Sequence, residues 1–231
     1  MLPGICGSRV RAFLHAIQPF LFLTIHQYYT LQQIAARGVA DPRVLAAMRK
    51  VPRHRFVNAP EVANAYDDRP LPIGHAQTIS QPYIVAYMTE LLRLGPGAKV
   101  LEVGTGCGYQ AAVLGEIARE VYTIEIVKPL ADCAMRTLHG LGYANVHVRH
   151  GDGYGGWPDQ APFDGIVVAA APDHVPPALV AQLAVGARLV IPVGDADQEI
   201  RVITKTADGH REERLIPVRF VPLTRDVREQ D

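Results

Sequence analysis

The stretch Val100-Leu-Glu-Val-Gly-Thr-Gly-Cys-Gly108 decides the fold. A short β-rich run, Lys99–Val103, feeds three glycines spaced two apart, and helix-forming residues follow at once. In the first βα turn of a wound sheet, glycines reach positive φ and let the backbone approach a ligand closely. Downstream the pattern alternates: Ala111–Arg119 reads as helix, Val121–Ile126 as strand, Leu130–Leu141 as helix and Val146–Arg149 as strand. Phe163–Ala170 is nearly continuous apolar sequence, as a strand buried on both faces requires. Pro177–Leu183 reads as helix, and Arg188–Val193, Glu199–Thr206 and Arg214–Val221 as strands. Repeated β-α-β units predict an α/β fold: a doubly wound, mostly parallel seven-stranded sheet.

Upstream of that core the sequence is helical. Leu31, Ile34 and Ala35 recur at helical spacing before Gly38, and Asp41-Pro42 reads as an N-cap with Pro in the first turn. Val44, Leu45 and Met48 mark the buried face of that second helix. Arg53 to Gly74 reads as loop with short elements, and Ser80-Gln81-Pro82 opens a helix whose buried stripe is Ile84, Val85, Met88, Leu91 and Leu92. The expected organisation is an extension over residues 1–30 and one domain over 31–231. Within it, 31–95 forms a helical substrate-side segment and 96–231 the ligand-binding α/β core. Residues 12–36 carry no Asp, Glu, Lys or Arg, yet His15, Gln18, Pro19, His26 and Gln27 break any clean membrane-length apolar run. An appendage, or a start called too early, is the expectation here, with no membrane partner.

Composition narrows the function. The 231 residues are 48% hydrophobic and 20% charged, the proportions of an ordinary globular chain. Lys plus Arg and Asp plus Glu number 23 each, so there is no basic excess of the kind that grips a phosphate backbone. Nucleic acid is therefore not expected as the principal partner. Three cysteines, Cys6, Cys107 and Cys133, sit too far apart in the chain for a zinc site or a disulfide framework. Reduced thiols, a cytoplasmic location, no metal and a monomeric state are expected.

Glycine spacing separates the candidate ligands. A dinucleotide fingerprint needs glycine at position 109, where Tyr109 stands. The compact G-x-G-x-G form, with Glu102 ahead of Gly104, Gly106 and Gly108, is the form of S-adenosylmethionine-dependent methyltransferases, and an acidic residue suits a cationic ligand. Glu125 ends the second strand, where a carboxylate can accept from two ribose hydroxyls. Asp152, in Gly151-Asp-Gly153 after the third strand, is placed to accept from an adenine amino group. Ala169-Ala-Ala-Pro172-Asp-His after the fourth strand lacks the Asn or Asp before Pro-Pro-aromatic that base-methylating enzymes use.

Leu71-Pro-Ile-Gly-His-Ala-Gln-Thr-Ile-Ser-Gln-Pro-Tyr83 resembles the substrate segment of protein-L-isoaspartate (D-aspartate) O-methyltransferases. Val51-Pro-Arg-His-Arg-Phe-Val57, His150-Gly-Asp-Gly153, Ala161-Pro-Phe-Asp-Gly165, Leu189-Val-Ile-Pro-Val-Gly194 and Phe220-Val-Pro-Leu-Thr224 share the likeness, in the same order. It spans Leu31 to Thr224; Ala76 departs from it where glycine is common. The resemblance implies methyl esterification of isoaspartyl α-carboxylates in damaged proteins and peptides, with S-adenosyl-L-methionine as methyl source. It marks Ser80 as the active-site serine, a carboxylate-positioning hydroxyl that also suits an N-cap. The same likeness implies Thr78, Ile79, Gln81 and Thr224 on the substrate side, and Thr105 and Gly153 beside Glu102, Gly104, Gly106, Gly108, Glu125 and Asp152 on the cofactor side. His75 reads as a solvent-facing loop histidine and Cys107 as a small packing group. The alternative is a methyltransferase on another small-molecule or RNA acceptor.

Overall fold

A computed structural model describes residue 27 and residues 31–225 of the chain. The expectation for 1–30 therefore falls, apart from Gln27, outside the described residues.

The helical turn over residues 31–36 ends where Gly38 takes a φ of 98°. Helix α1 (Pro42–Lys50) starts on Asp41, whose carboxylate accepts the Arg43 N–H at 2.8 Å, and buries Val44, Ala47 and Met48. Two short 3-10 turns, Arg53–Arg55 and Ala59–Asn64, lead into a hairpin of β1 (Leu71–Gly74) and β2 (Gln77–Ile79). The hairpin is a separate two-stranded sheet. Its first strand buries Leu71 and Ile73 and exposes Pro72 and Gly74, and its turn residues His75 and Ala76 are non-glycine at φ 51° and 52°. Helix α2 (Pro82–Leu91) follows.

The main sheet is built from β3 (Lys99–Val103), β4 (Glu120–Glu125), β5 (Val146–His150), β6 (Phe163–Val168), β7 (Leu183–Val193), β8 (Gln198–Thr206) and β9 (Gly209–Val218). Their order is β5-β4-β3-β6-β7-β8-β9; β3 to β7 pair in parallel, and β7-β8-β9 close as an antiparallel meander. Between strands run α3 (Tyr109–Gly115), α4 (Lys128–Gly140) and the short α5 (Pro177–Ala181). This is the doubly wound, mostly parallel seven-stranded α/β sheet that the sequence predicts.

Period-two alternation sorts the strand residues to the two faces. Val100, Val121, Val167 and Val190 pack with Met88 of α2 and Leu114 of α3, whereas Leu101, Ile166, Leu189 and Ile203 pack with Leu179 of α5. The last strand begins five residues earlier than the sequence pattern implies. Residues 209–214 are all exposed, so no apolar periodicity marks them, and the Ala207-Asp208 turn closes Thr206 onto Gly209.

Sheet order fixes where a ligand belongs. Strand β3 is followed by a helix toward β4, while β6 lies on its other side, so the chain diverges at the carboxyl ends of β3 and β6. A crevice opens at such a switch point.

Candidate active site

The glycine loop opens at the end of β3. Gly104 and Thr105 donate their N–H groups to the Ile124 carbonyl at 2.8 and 3.2 Å, which ties the loop to β4. Gly104, Gly106 and Gly108 hold φ values of 93°, 54° and 90°, left-handed conformations that other residues adopt at a cost. Gly104, Thr105 and Gly106 line the crevice, but Gly108 does not. A side chain at Gly108 would come within 3.1 Å of Leu138 Cδ1. That glycine lets α3 start tight against Leu138 of α4.

Glu125 stands where the sequence placed it, as the last residue of β4, 6% exposed and in the crevice wall. One carboxylate oxygen, Oε2, accepts the Gly106 N–H at 2.7 Å; the other, Oε1, accepts the Val127 N–H at 2.9 Å. The carboxylate thus holds the glycine loop and the loop after β4 together.

Glu102 lies within β3. Paired in register with Thr123, it is fully buried and absent from the crevice wall. Its Oε2 accepts from the Thr123 hydroxyl at 2.5 Å, and its Oε1 has no partner. Burial pushes the carboxyl up to about 8, with the Glu125 charge adding to the rise. The strand pleat turns Glu102 toward Thr123 in the sheet interior, behind the cavity wall. Asp152 is exposed and also outside the wall; its Oδ1 caps the following 3-10 turn by accepting the Tyr154 N–H at 2.8 Å. Gly153, next to it, is in the wall, and a side chain there would strike Val103 of β3.

Thr78, Ile79 and Ser80 run along the opposite wall. Ser80 is half-buried and makes no hydrogen bond to another described residue. It does not cap α2: the N-cap is Gln81, which itself supplies no side-chain cap. The cap comes from Asp68, whose Oδ1 accepts the Tyr83 N–H at 2.9 Å. Asp68 also takes Gln81 Nε2 on Oδ2 at 2.9 Å and pairs with Arg37 at 2.8 Å. Gln81, held by that bond, is not in the cavity wall. Thr224 is in the wall. Its segment is pinned to the sheet where Ala171 N–H donates to the Val221 carbonyl and Leu223 N–H to the Ala171 carbonyl, both at 2.8 Å.

Together these walls enclose a cavity of about 1550 Å³. Single-ligand pockets run to roughly 300–1,000 Å³, so this one has room for a small ligand and a stretch of polypeptide. Ile79, Val85, Ala169 and Ala170 supply apolar lining, and Tyr109 and Cys107 stand at the glycine loop. Burial pushes the Cys107 thiol up to about 11, so it stays a small neutral group. No cluster of three metal-ligating side chains occurs among the described residues.

The model of the protein-L-isoaspartate (D-aspartate) O-methyltransferase family matches residues 27–228. The chain belongs to this family. A protein-L-isoaspartate O-methyltransferase of Gloeobacter violaceus is 62% identical over 197 residues, which are 84% of this chain and 96% of that protein. One from Picosynechococcus is 58% identical over 201 residues, covering 87% and 90%. Among solved structures, a protein-L-isoaspartate O-methyltransferase superposes with a TM-score of 0.79 at 28% identity, over 85% of this chain and 65% of that one. A Plasmodium falciparum chain assigned to the same activity, solved with S-adenosyl-L-homocysteine, gives 0.76 at 28% identity over 87% and 99%.

For a protein-L-isoaspartate O-methyltransferase the expected residues are brought together in the main. Ser80, Thr78, Ile79, Thr224, Gly104, Thr105, Gly106, Glu125 and Gly153 share one cavity, whereas Glu102, Gly108, Asp152 and Gln81 do not reach its wall. Sequence reasoning misses His150, Lys128 and Arg225 of the wall, and Asp68 behind it. His150 opens a motif already quoted above; Asp68 carries no local signal, because its partner Tyr83 lies 15 positions away. His75 is exposed as expected, yet it also lines the cavity.

Proposed function

We propose that this chain transfers a methyl group from S-adenosyl-L-methionine to the free α-carboxylate of L-isoaspartyl residues in damaged proteins and peptides. The ester then starts their repair through a succinimide. One observation carries the reading beyond family membership: a single cavity joins the glycine loop and Glu125 to Thr78, Ile79 and Ser80.

The residues present fit that methyl donor. Each Glu125 oxygen holds one backbone N–H and retains a lone pair, so the carboxylate has capacity for two ribose hydroxyls. Gly104 and Gly106 expose backbone to the cavity without side chains. When bound, S-adenosyl-L-methionine supplies an electrophilic methyl group on a cationic sulfur.

The acceptor, with an ordinary pKa near ~3.5–4, is ionised at neutral pH, so the protein has no proton to remove. Its task is alignment and exclusion of water. Ser80, whose hydroxyl has no partner among the described residues, donates to the acceptor carboxylate and fixes its direction. Ile79, Val85, Ala169 and Ala170 keep the space between the two walls apolar, which favours a step that cancels opposite charges. In succinimide closure the peptide's own amide nitrogen attacks the ester carbonyl, loses its proton and expels methanol, off the protein.

The reading extends to a cytoplasmic monomer with isoaspartyl proteins and peptides as partners, and neither nucleic acid nor membrane. The free thiols of Cys107 and Cys133 support the compartment.

The deciding experiment uses labelled S-adenosyl-L-methionine and two peptides identical except for one isoaspartyl or aspartyl linkage. Base-labile label on the isoaspartyl peptide alone is the expected result. Label on neither, with binding of the methyl donor confirmed by calorimetry, would remove the acceptor from the proposal.

A further inference from the structure

The segment 221–225 forms one wall of the cavity, near the end of the described residues. Arg225, the last residue of that segment, is exposed and lies in that wall. Two lysine or arginine side chains line the cavity, and they differ in what they touch. Lys128 is engaged by Asp132, one turn along α4, at 2.9 Å. Arg225 has no carboxylate partner among the described residues.

Its guanidinium is nevertheless held in place. Arg225 Cζ lies 4.5 Å from the centroid of the Tyr154 ring, and the Tyr154 hydroxyl donates to the Leu223 carbonyl at 3.3 Å. The ring therefore braces the segment and stacks on its arginine at once. A stacked guanidinium still presents N–H groups from its edge, in the fork geometry that matches a carboxylate. Glu125, the acidic residue of the same cavity wall, already receives two backbone donors and lies at the end of β4, in the glycine-loop wall.

We propose that Arg225 is a specificity-determining residue that selects isoaspartyl peptides carrying an acidic side chain next to the isoaspartyl residue. This rests on isoaspartyl peptides being the acceptors. The contact is a partly solvated ion pair, so it acts on capture of the peptide and leaves the methyl-transfer step alone. A second carboxylate source, the acceptor group itself, is common to every substrate and would give no preference among them.

The test uses the full chain and isoaspartyl peptides that differ at one flanking position, Glu, Gln or Lys, placed in turn on each side. On one side, kcat/KM is expected to fall in the order Glu, Gln, Lys, by about 2–5-fold from first to last at low salt. The spread should lie in KM and collapse at high salt. Arg225→Gln should abolish the order and Arg225→Glu should reverse it, with the Tyr154-braced fold checked by its melting temperature. An order that survives in Arg225→Gln overturns the inference. So does a loss of equal size for all three peptides, which would place the guanidinium on the acceptor carboxylate. Absence of label on every isoaspartyl peptide overturns the proposed function itself, an outcome distinct from methylation without preference.

Discussion

Asp68 caps the helix that begins just after Ser80, accepting the Tyr83 N–H at 2.9 Å from 15 positions upstream. The same carboxylate holds Gln81 and Arg37, and the Arg37 guanidinium lies 3.4 Å over the Tyr83 ring. Ser80 is thereby released from structural duty while its neighbours on the chain are fixed. Asp68→Ala should cost about 1–2 kcal/mol of stability, the worth of a helix cap, with a rise in peptide KM. Asp68→Asn keeps an acceptor for Tyr83 but not the charge for Arg37, and should recover part of the loss. Urea unfolding beside initial rates checks both.

Because Ser80 caps nothing, Ser80→Ala should leave the melting temperature unchanged. Loss of one hydrogen bond to a charged group, about 1.5–3 kcal/mol, would lower turnover by roughly 10- to 100-fold while calorimetry shows unaltered affinity for S-adenosyl-L-methionine. Glu125→Ala should invert that pattern. It strands the Gly106 and Val127 N–H groups and removes the acceptor for the ribose, so affinity falls first. Turnover at saturating methyl donor should suffer less. The reverse ordering of the two variants would overturn the assigned roles.

Glu102 gives the chain a pH-dependent weakness. In the fold it keeps its proton up to about 8, whereas in the unfolded chain it ionises near its ordinary value of 4.5. Between those values the native state binds the extra proton, so stability falls as pH rises, by at most about 1.4 kcal/mol per pH unit. Glu102→Gln keeps an acceptor for Thr123 and removes the titration. Its unfolding free energy should fall less steeply than the parent's from pH 5 to pH 8, and exceed it at pH 8. Equal slopes in denaturant titrations across that range would show that Glu102 is ionised in the native state.

The sheet is largely legible in the sequence because its strands are buried on both faces and read as apolar runs, Phe163–Val168 most plainly. Where one strand leaves the core, as in residues 209–214, no apolar pattern exists to mark its start. Glu125 and Gly153 are readable because the carboxyl end of a parallel strand delivers its next residues into the crevice. Glu102 misleads for the opposite reason: it lies within the strand, and only the pairing with Thr123 shows which way its side chain turns. Gln81 and Gly108 each meet a residue distant in the chain, Asp68 or Leu138, that no local pattern shows. The hairpin stays hidden because its strands are only four and three residues long and Ala76 is not a residue that favours a left-handed turn.

That hairpin shares no hydrogen-bonded ladder with the main sheet, whereas the glycine loop is bonded directly to β4. The half of the cavity that takes the methyl donor is thus an integral part of the scaffold, and the half that greets the acceptor is an attachment. In evolutionary terms the two are separately replaceable: a different attachment on the same scaffold would redirect where the methyl group goes without disturbing where it comes from.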